Sequence, residues 1–252
     1  RTIKFMSLKT DQTRALALST ISFTVCFSIW TIFSILGIQI KQDLSLNDTQ
    51  FGLLVATPIL TGALSRLILG IWTDQYGGRN VMALTMLLSA IATYLLSSVE
   101  TYEMFLVAAL GVGLAGGCFA VGIAYVSTWY EKEKQGTALG IFGVGNVGAA
   151  ITNLIAPFIM LALGWDGLAK TYAIIMFVTA ILFYLFAKDD PNLVARKKKK
   201  EKPRSILQQM EPLKKLQVWR FSLYYFFVFG GYVALALWLP HFYVGVYGLD
   251  IK

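Results

Sequence analysis

The chain predicts an all-α polytopic membrane protein, and three observations carry that reading. Its composition is 56% hydrophobic and only 14% charged, where water-soluble domains carry about 25% charged residues. Its mean hydropathy is +0.63. Its apolar residues fall in runs of roughly 20 or more, the length a helix needs to cross a bilayer at about 1.5 Å per residue.

Seven spans follow by length and punctuation. The first, residues 15–40, runs unbroken from Arg14 to Lys41. The second, 51–73, ends at Asp74 and contains one cation, Arg66, about two-thirds of the way along. The third is 80–98. The fourth and fifth, 102–130 and 135–163, are Gly-rich and separated by a short charged loop. The sixth, 168–187, follows a turn at 164–167. The seventh, 218–247, contains Pro240, which is expected to kink it or to end its regular part. Residues 1–187 read as a six-helix bundle, 188–217 as a basic linker, and 218–252 as the first helix of a further bundle. Six helices, a linker and a seventh helix form an unfinished pattern, so the chain reads as a fragment lacking a second set of helices. It does not begin with Met, and its first span is too long for a signal peptide.

Charge sets the orientation. The N-terminal segment, the second–third loop, the fourth–fifth loop and the linker hold nearly all of the 22 basic residues; Lys41, Lys170 and Lys252 alone fall on the opposite side. The positive-inside rule then places the N-terminus and the linker in the cytoplasm. The net charge of +8 invites a nucleic-acid reading. Its concentration in residues 196–200, beside helix ends, fits a cytoplasmic loop facing anionic lipid instead. Cys26 and Cys118 lie inside spans and read as packing residues. The single histidine, His241, reads as interfacial. No metal-ligand spacing occurs, and neither metal nor cofactor is expected. A membrane enzyme or sensor would need a titratable cluster or a catalytic domain, and neither is present.

Arg66 is the candidate site. A charge at that depth costs on the order of 2.5–3.5 kcal/mol, and such residues usually line a functional cavity. No Asp or Glu occupies the interior of any span, which leaves room for a small anion. The second–third loop carries Gly70, Asp74, Gly77, Gly78 and Arg79, a tight turn whose Asp and Arg can cap helix ends and pair across the bundle. The fourth helix carries Gly113 and Gly117, and the fifth Gly136 and Gly140. Small residues four apart let helix backbones approach closely. Within the fifth helix, Gly143, Gly145, Asn146 and Gly148 add an amide to a smooth surface, suited to an oxyanion.

The pattern Gly70-x-x-x-Asp74-x-x-Gly77-Gly78-Arg79 resembles the loop signature of the major facilitator superfamily, where its role is conformational gating. Gly143-Val-Gly145-Asn146-Val-Gly148, before Ala156-Pro157, resembles the nitrate signature of the nitrate/nitrite porter branch. Arg66 matches that branch's substrate arginine, Gly116-Gly117-Cys118-Phe119 its helix-four motif, and residues 219–230 its helix-seven segment. The resemblance implies a binding site drawn from Arg66, Phe119, Asn146, Tyr225 and Phe229. It further implies alternating-access transport of nitrate or nitrite, by antiport or proton symport, in the inner membrane of a prokaryote, by a protein monomeric at full length. The chain departs from the branch at Cys118, where Asn is frequent, and lacks the branch's second arginine and second signature. A carrier for another monoanion, such as a carboxylate, is the alternative; it leaves the Gly-Asn-Gly motif without a reason.

Overall fold

The computed structural model describes residues 2–200 and 205–249. Arg1, Lys202, Arg204 and Lys252, counted above among the basic residues, lie outside the described residues. The first crossing is a broken helix, α1 (Thr2–Trp30) followed by α2 (Phe33–Asp43). Thr20, Thr24, Ser28 and Thr31 each return a hydroxyl to the carbonyl four residues earlier, a habit that bends helices. At the break the amides of Ile32 and Ser34 reach back only three residues, at 3.1 and 3.0 Å. The first span is therefore one crossing built of two helices, broken at Thr31–Ile32, where tightened bonding replaces the α pattern.

Helix α3 (Asp48–Tyr76) starts at a capping box in which Asn47 and Gln50 satisfy each other's backbone amides. The motif turn follows at Gly77, whose φ of 90° excludes ordinary side chains. Helix α4 (Gly78–Leu96) and helix α5 (Tyr102–Trp129) complete the fourth crossing. The fifth crossing is composite: α6 (Lys132–Gly143), a 3₁₀ turn at Val144–Val147, then α7 (Gly148–Phe186).

Among the described residues six helical stretches are long and apolar enough to cross a membrane, one of them the 55 residues Lys132–Phe186. Straight, that stretch would measure about 80 Å at 1.5 Å per residue, well over twice a bilayer core of about 30 Å. It is not straight. Gly164 has φ 75° and ψ 174°, and Tyr172 donates to the Thr152 hydroxyl at 3.4 Å from twenty residues away. The chain doubles back at Gly164, which divides that stretch into two, so the described residues form seven apolar helical passes.

The first crossing is the core of the bundle. Phe23, Phe27, Trp30, Phe33 and Leu36 are almost wholly buried, and α1 packs against α3, α5 and α7. Glycines set the closest approaches. A Cβ on Gly113 would strike the Pro58 carbonyl, one on Gly117 would meet Ser65, and one on Gly148 would meet Ser28. Gly136 and Gly140 have open space where a Cβ would stand, so the packing expected of that pair is absent here.

The linker is partly built into the bundle. Helix α8 (Pro191–Lys199) buries Leu193 beside Gly77, and Arg196 donates to the Gln75 carbonyl at 3.0 Å. Nearby, Arg79 donates to the Tyr184 carbonyl at 2.9 Å and pairs with Asp189 at 3.4 Å. Asp74, exposed at the end of α3, is also engaged. Lys188 pairs with Asp11 at 2.9 Å, and Tyr125 donates to the Lys188 carbonyl at 2.6 Å. A short helix α9 (Ile206–Gln209) leads to α10 (Leu216–Tyr247), which continues through Pro240. Val233 and Leu237 are its buried residues; most of the rest are exposed. At the opposite end of the bundle Lys41 binds Asp48 at 2.6 Å and lies 3.1 Å from His241 Nε2. That hydrogen bond and the Lys41 charge hold the Asp48 carboxyl below its ordinary value of 3.8.

Candidate functional site

The site grows from the α3–α5 contact. Small residues on α5 bring its backbone close to α3, and Arg66 Nε then donates to the Gly116 carbonyl at 3.3 Å. That bond orients the guanidinium, whose two terminal amino groups match the edge of a planar anion. Three rings surround the cation: Phe119, Phe229 and Trp30, with centroids 5.2, 5.5 and 5.6 Å from the guanidinium carbon. Each is within cation–π range. No carboxylate pairs with Arg66 among the described residues.

The rings are themselves organised. Phe119 and Phe229 lie nearly parallel, 16° apart with centroids at 6.2 Å. Tyr225 stacks on Phe229 at 4.8 Å, and its hydroxyl interacts with Arg66. Phe119 leans on Phe23 and Phe142, which stack on each other at 4.8 Å. A cavity of about 620 Å³ opens between α3 and α10, lined by Trp30, Ile59, Arg66, Tyr225 and Phe229 among others. That is far more room than a four-atom anion fills.

Four of the residues singled out from the sequence therefore meet: Arg66, Phe119, Tyr225 and Phe229. Asn146 behaves differently from the reading that offered its amide to an anion. It stands in the 3₁₀ turn, and its Nδ2 donates to the Gly143 carbonyl at 2.7 Å. Its Oδ1 is buried and without a partner among the described residues, and its own carbonyl accepts from Tyr232 at 2.9 Å. The signature glycines also divide. Gly145 abuts Phe23 and Gly148 abuts α1, while Gly143 faces open space. In the motif loop, Gly78 abuts Tyr125 and Gly70 has nothing near it.

Trp30 was missed in the sequence reading. Its indole N–H donates to the Pro58 carbonyl at 2.8 Å, and its ring lies 11° from the plane of Phe229. Both Gly62 and Gly116 are needed beside it, because a Cβ at either would strike the indole. A signal existed: a Trp near the middle of a span is unusual, since Trp concentrates at membrane interfaces.

A family model described as Major Facilitator Superfamily matches residues 18–252. Over 253 residues the chain is 40% identical to the probable nitrate/nitrite antiporter NarK1 of Thermus thermophilus, covering 96% of this chain and 56% of that protein. It is 32% identical to the nitrite extrusion protein of Bacillus subtilis (strain 168), covering 93% and 58%. The chain thus spans little more than half the length of these curated relatives. The crystal structure of a bacterial homolog of the human lysosomal transporter Spinster, inward-facing and occupied, superposes with a TM-score of 0.73 at 19% identity. It covers 96% of this chain and 56% of that one, a likeness of fold. With its several apolar crossings, this is a multi-pass membrane protein, and the chain belongs to the Major Facilitator Superfamily.

Proposed function

We propose that this chain carries the anion-binding part of a nitrate/nitrite transporter that works by alternating access. The observation that carries the reading is the Arg66 guanidinium, tied by Nε to Gly116, walled by three aromatic rings and, among the described residues, lacking a carboxylate partner. The similarity to proteins named as nitrate and nitrite transporters supports the choice of anion.

The chemistry follows from Arg66. Its charge persists at any physiological pH, and its planar fork matches the edge of a planar oxyanion. Phe119 and Phe229 present faces to a flat guest, exclude water and thereby strengthen the charge-assisted bonds. Tyr225 adds one donor. Movement is rocking of two helix bundles about a central site, with the motif-loop contacts of Arg79 and Asp189 holding one state. Exchange of nitrate for nitrite needs no protein carboxylate: Arg66 demands an anion before the carrier turns over. The reading further places the protein in the inner membrane of a prokaryote, as a monomer, with its N-terminus, motif loop and linker on the cytoplasmic side.

The test is counterflow into vesicles holding the full-length carrier. Internal nitrate should drive uptake of labelled nitrate or nitrite, while formate and phosphate should not. Uptake that requires a pH gradient would assign proton symport. Uptake of formate in preference to nitrate would overturn the choice of anion.

A further inference from the structure

Helix α10 contains a carbonyl that its own backbone cannot satisfy. Pro240 has no N–H, so the Ala236 carbonyl four residues earlier loses its helical donor. Within a bilayer no water replaces that bond, and a partner must come from protein. Asn153 of α7 supplies it: Nδ2 donates to the Ala236 carbonyl at 3.2 Å. Its Oδ1 in turn accepts from Ser34 of α2 at 2.6 Å, and Ser34 is fully buried. One amide, with its orientation fixed by a buried hydroxyl, joins three helices.

The register of α10 gives this bond a consequence. Ala236 lies seven residues beyond Phe229, two turns along and on the same face. Tyr232, between them, donates to the Asn146 carbonyl. Among the described residues of α10 only Val233 and Leu237 are buried, and apolar contacts slide more readily than a directed hydrogen bond. The height and rotation of α10, and with them the place of Phe229 over Arg66, depend on few polar ties.

We propose that Asn153 is a positioning residue: through the carbonyl freed by Pro240 it holds α10 so that Phe229 and Tyr225 close on Arg66. The bond must break whenever α10 swings away from α2 and α7. This rests on the reading of the Arg66 box as the anion site.

The test uses the full-length carrier in vesicles, with nitrate as the probe, and amide hydrogen exchange as a second readout. Asn153→Leu keeps the side-chain volume and removes the donor. It should raise the half-saturating nitrate concentration about tenfold, lower the maximal rate far less, and speed amide exchange in residues 238–244. Pro240→Ala returns an N–H to the Ala236 carbonyl. In that background Asn153→Leu should change each quantity by less than twofold. Ser34→Ala, a milder change, should show the same dependence on Pro240. Equal damage from Asn153→Leu in both backgrounds, or none in the parent, overturns the proposal. Should the parent carrier move no nitrate, the substrate reading falls, and the exchange comparison alone decides the role of Asn153.

Discussion

A single arginine in apolar surroundings is stable here because its neighbours divide its needs. The Gly116 carbonyl takes Nε, and three ring faces meet the charge, each of roughly 0.5–2 kcal/mol. Trp30→Phe keeps a ring but loses the indole bond to the Pro58 carbonyl. It should weaken nitrate binding about tenfold while the protein still folds, as titration calorimetry on purified carrier would register. Gly116→Ala should be harsher. Its new Cβ would press into an indole that cannot retreat, and overpacking of this kind costs about 1–3 kcal/mol. A lowered melting temperature with lost uptake is expected. Asn146→Ala frees the Gly143 carbonyl and should raise half-saturation about fivefold, the equivalent of one net hydrogen bond of about 1 kcal/mol. Unchanged kinetics would return the 3₁₀ turn to packing alone. At this scale Arg66 stands out in the sequence, because a cation within an apolar span has few innocent explanations. The orientation of the Asn146 amide was not legible, since spacing says nothing of which way an amide turns, and the Gly143 carbonyl three residues away takes its Nδ2.

Elements were legible where hydrophobic length decides and illegible where local bonding does. Seven spans follow from apolar run length together with loop punctuation, the turn at 164–167 dividing the fifth from the sixth. The break at Thr31–Ile32 was hidden, because its cause is a series of hydroxyls that individually look like ordinary packing residues. Pro240 was read as a possible end to its helix, yet α10 continues to Tyr247. A donor from another helix, Asn153, replaces what proline removes, and no local pattern reveals that. Gly164 carries the reversal between the fifth and sixth crossings. Any side chain there is strained at φ 75° by about 1–3 kcal/mol, so Gly164→Ala should lower the melting temperature without altering half-saturation for nitrate. The Lys41–Asp48 tie has a defined pH sense. Asp48 titrates below its ordinary 3.8 because Lys41 donates to it, so the tie is intact at neutral pH and is lost on the acid side as pH falls below that value. Melting temperatures of Asp48→Asn and parent should therefore converge at acid pH and differ only above it.

Across the whole molecule, the two ends of the bundle are fastened differently. The end with the motif loop is tied by Arg79, Asp189, Lys188, Asp11 and Arg196, together with α8. The other end is held to α10 by Lys41, His241 and the Asn153 amide. A carrier that rocks must release one set while keeping the other. The linker's charge is conspicuous in the sequence; the docking of Leu193 beside Gly77 is apolar packing that composition cannot announce. The account as a whole depends on Arg66 gripping a flat monoanion through its fork. Its most direct test is nitrate counterflow with Arg66→Lys beside the parent, both at equal protein in the same vesicles. Lysine keeps the charge but has no planar pair of donors. Parent vesicles should accumulate labelled nitrate and Arg66→Lys vesicles should not; near-parental accumulation by the lysine variant would contradict the account.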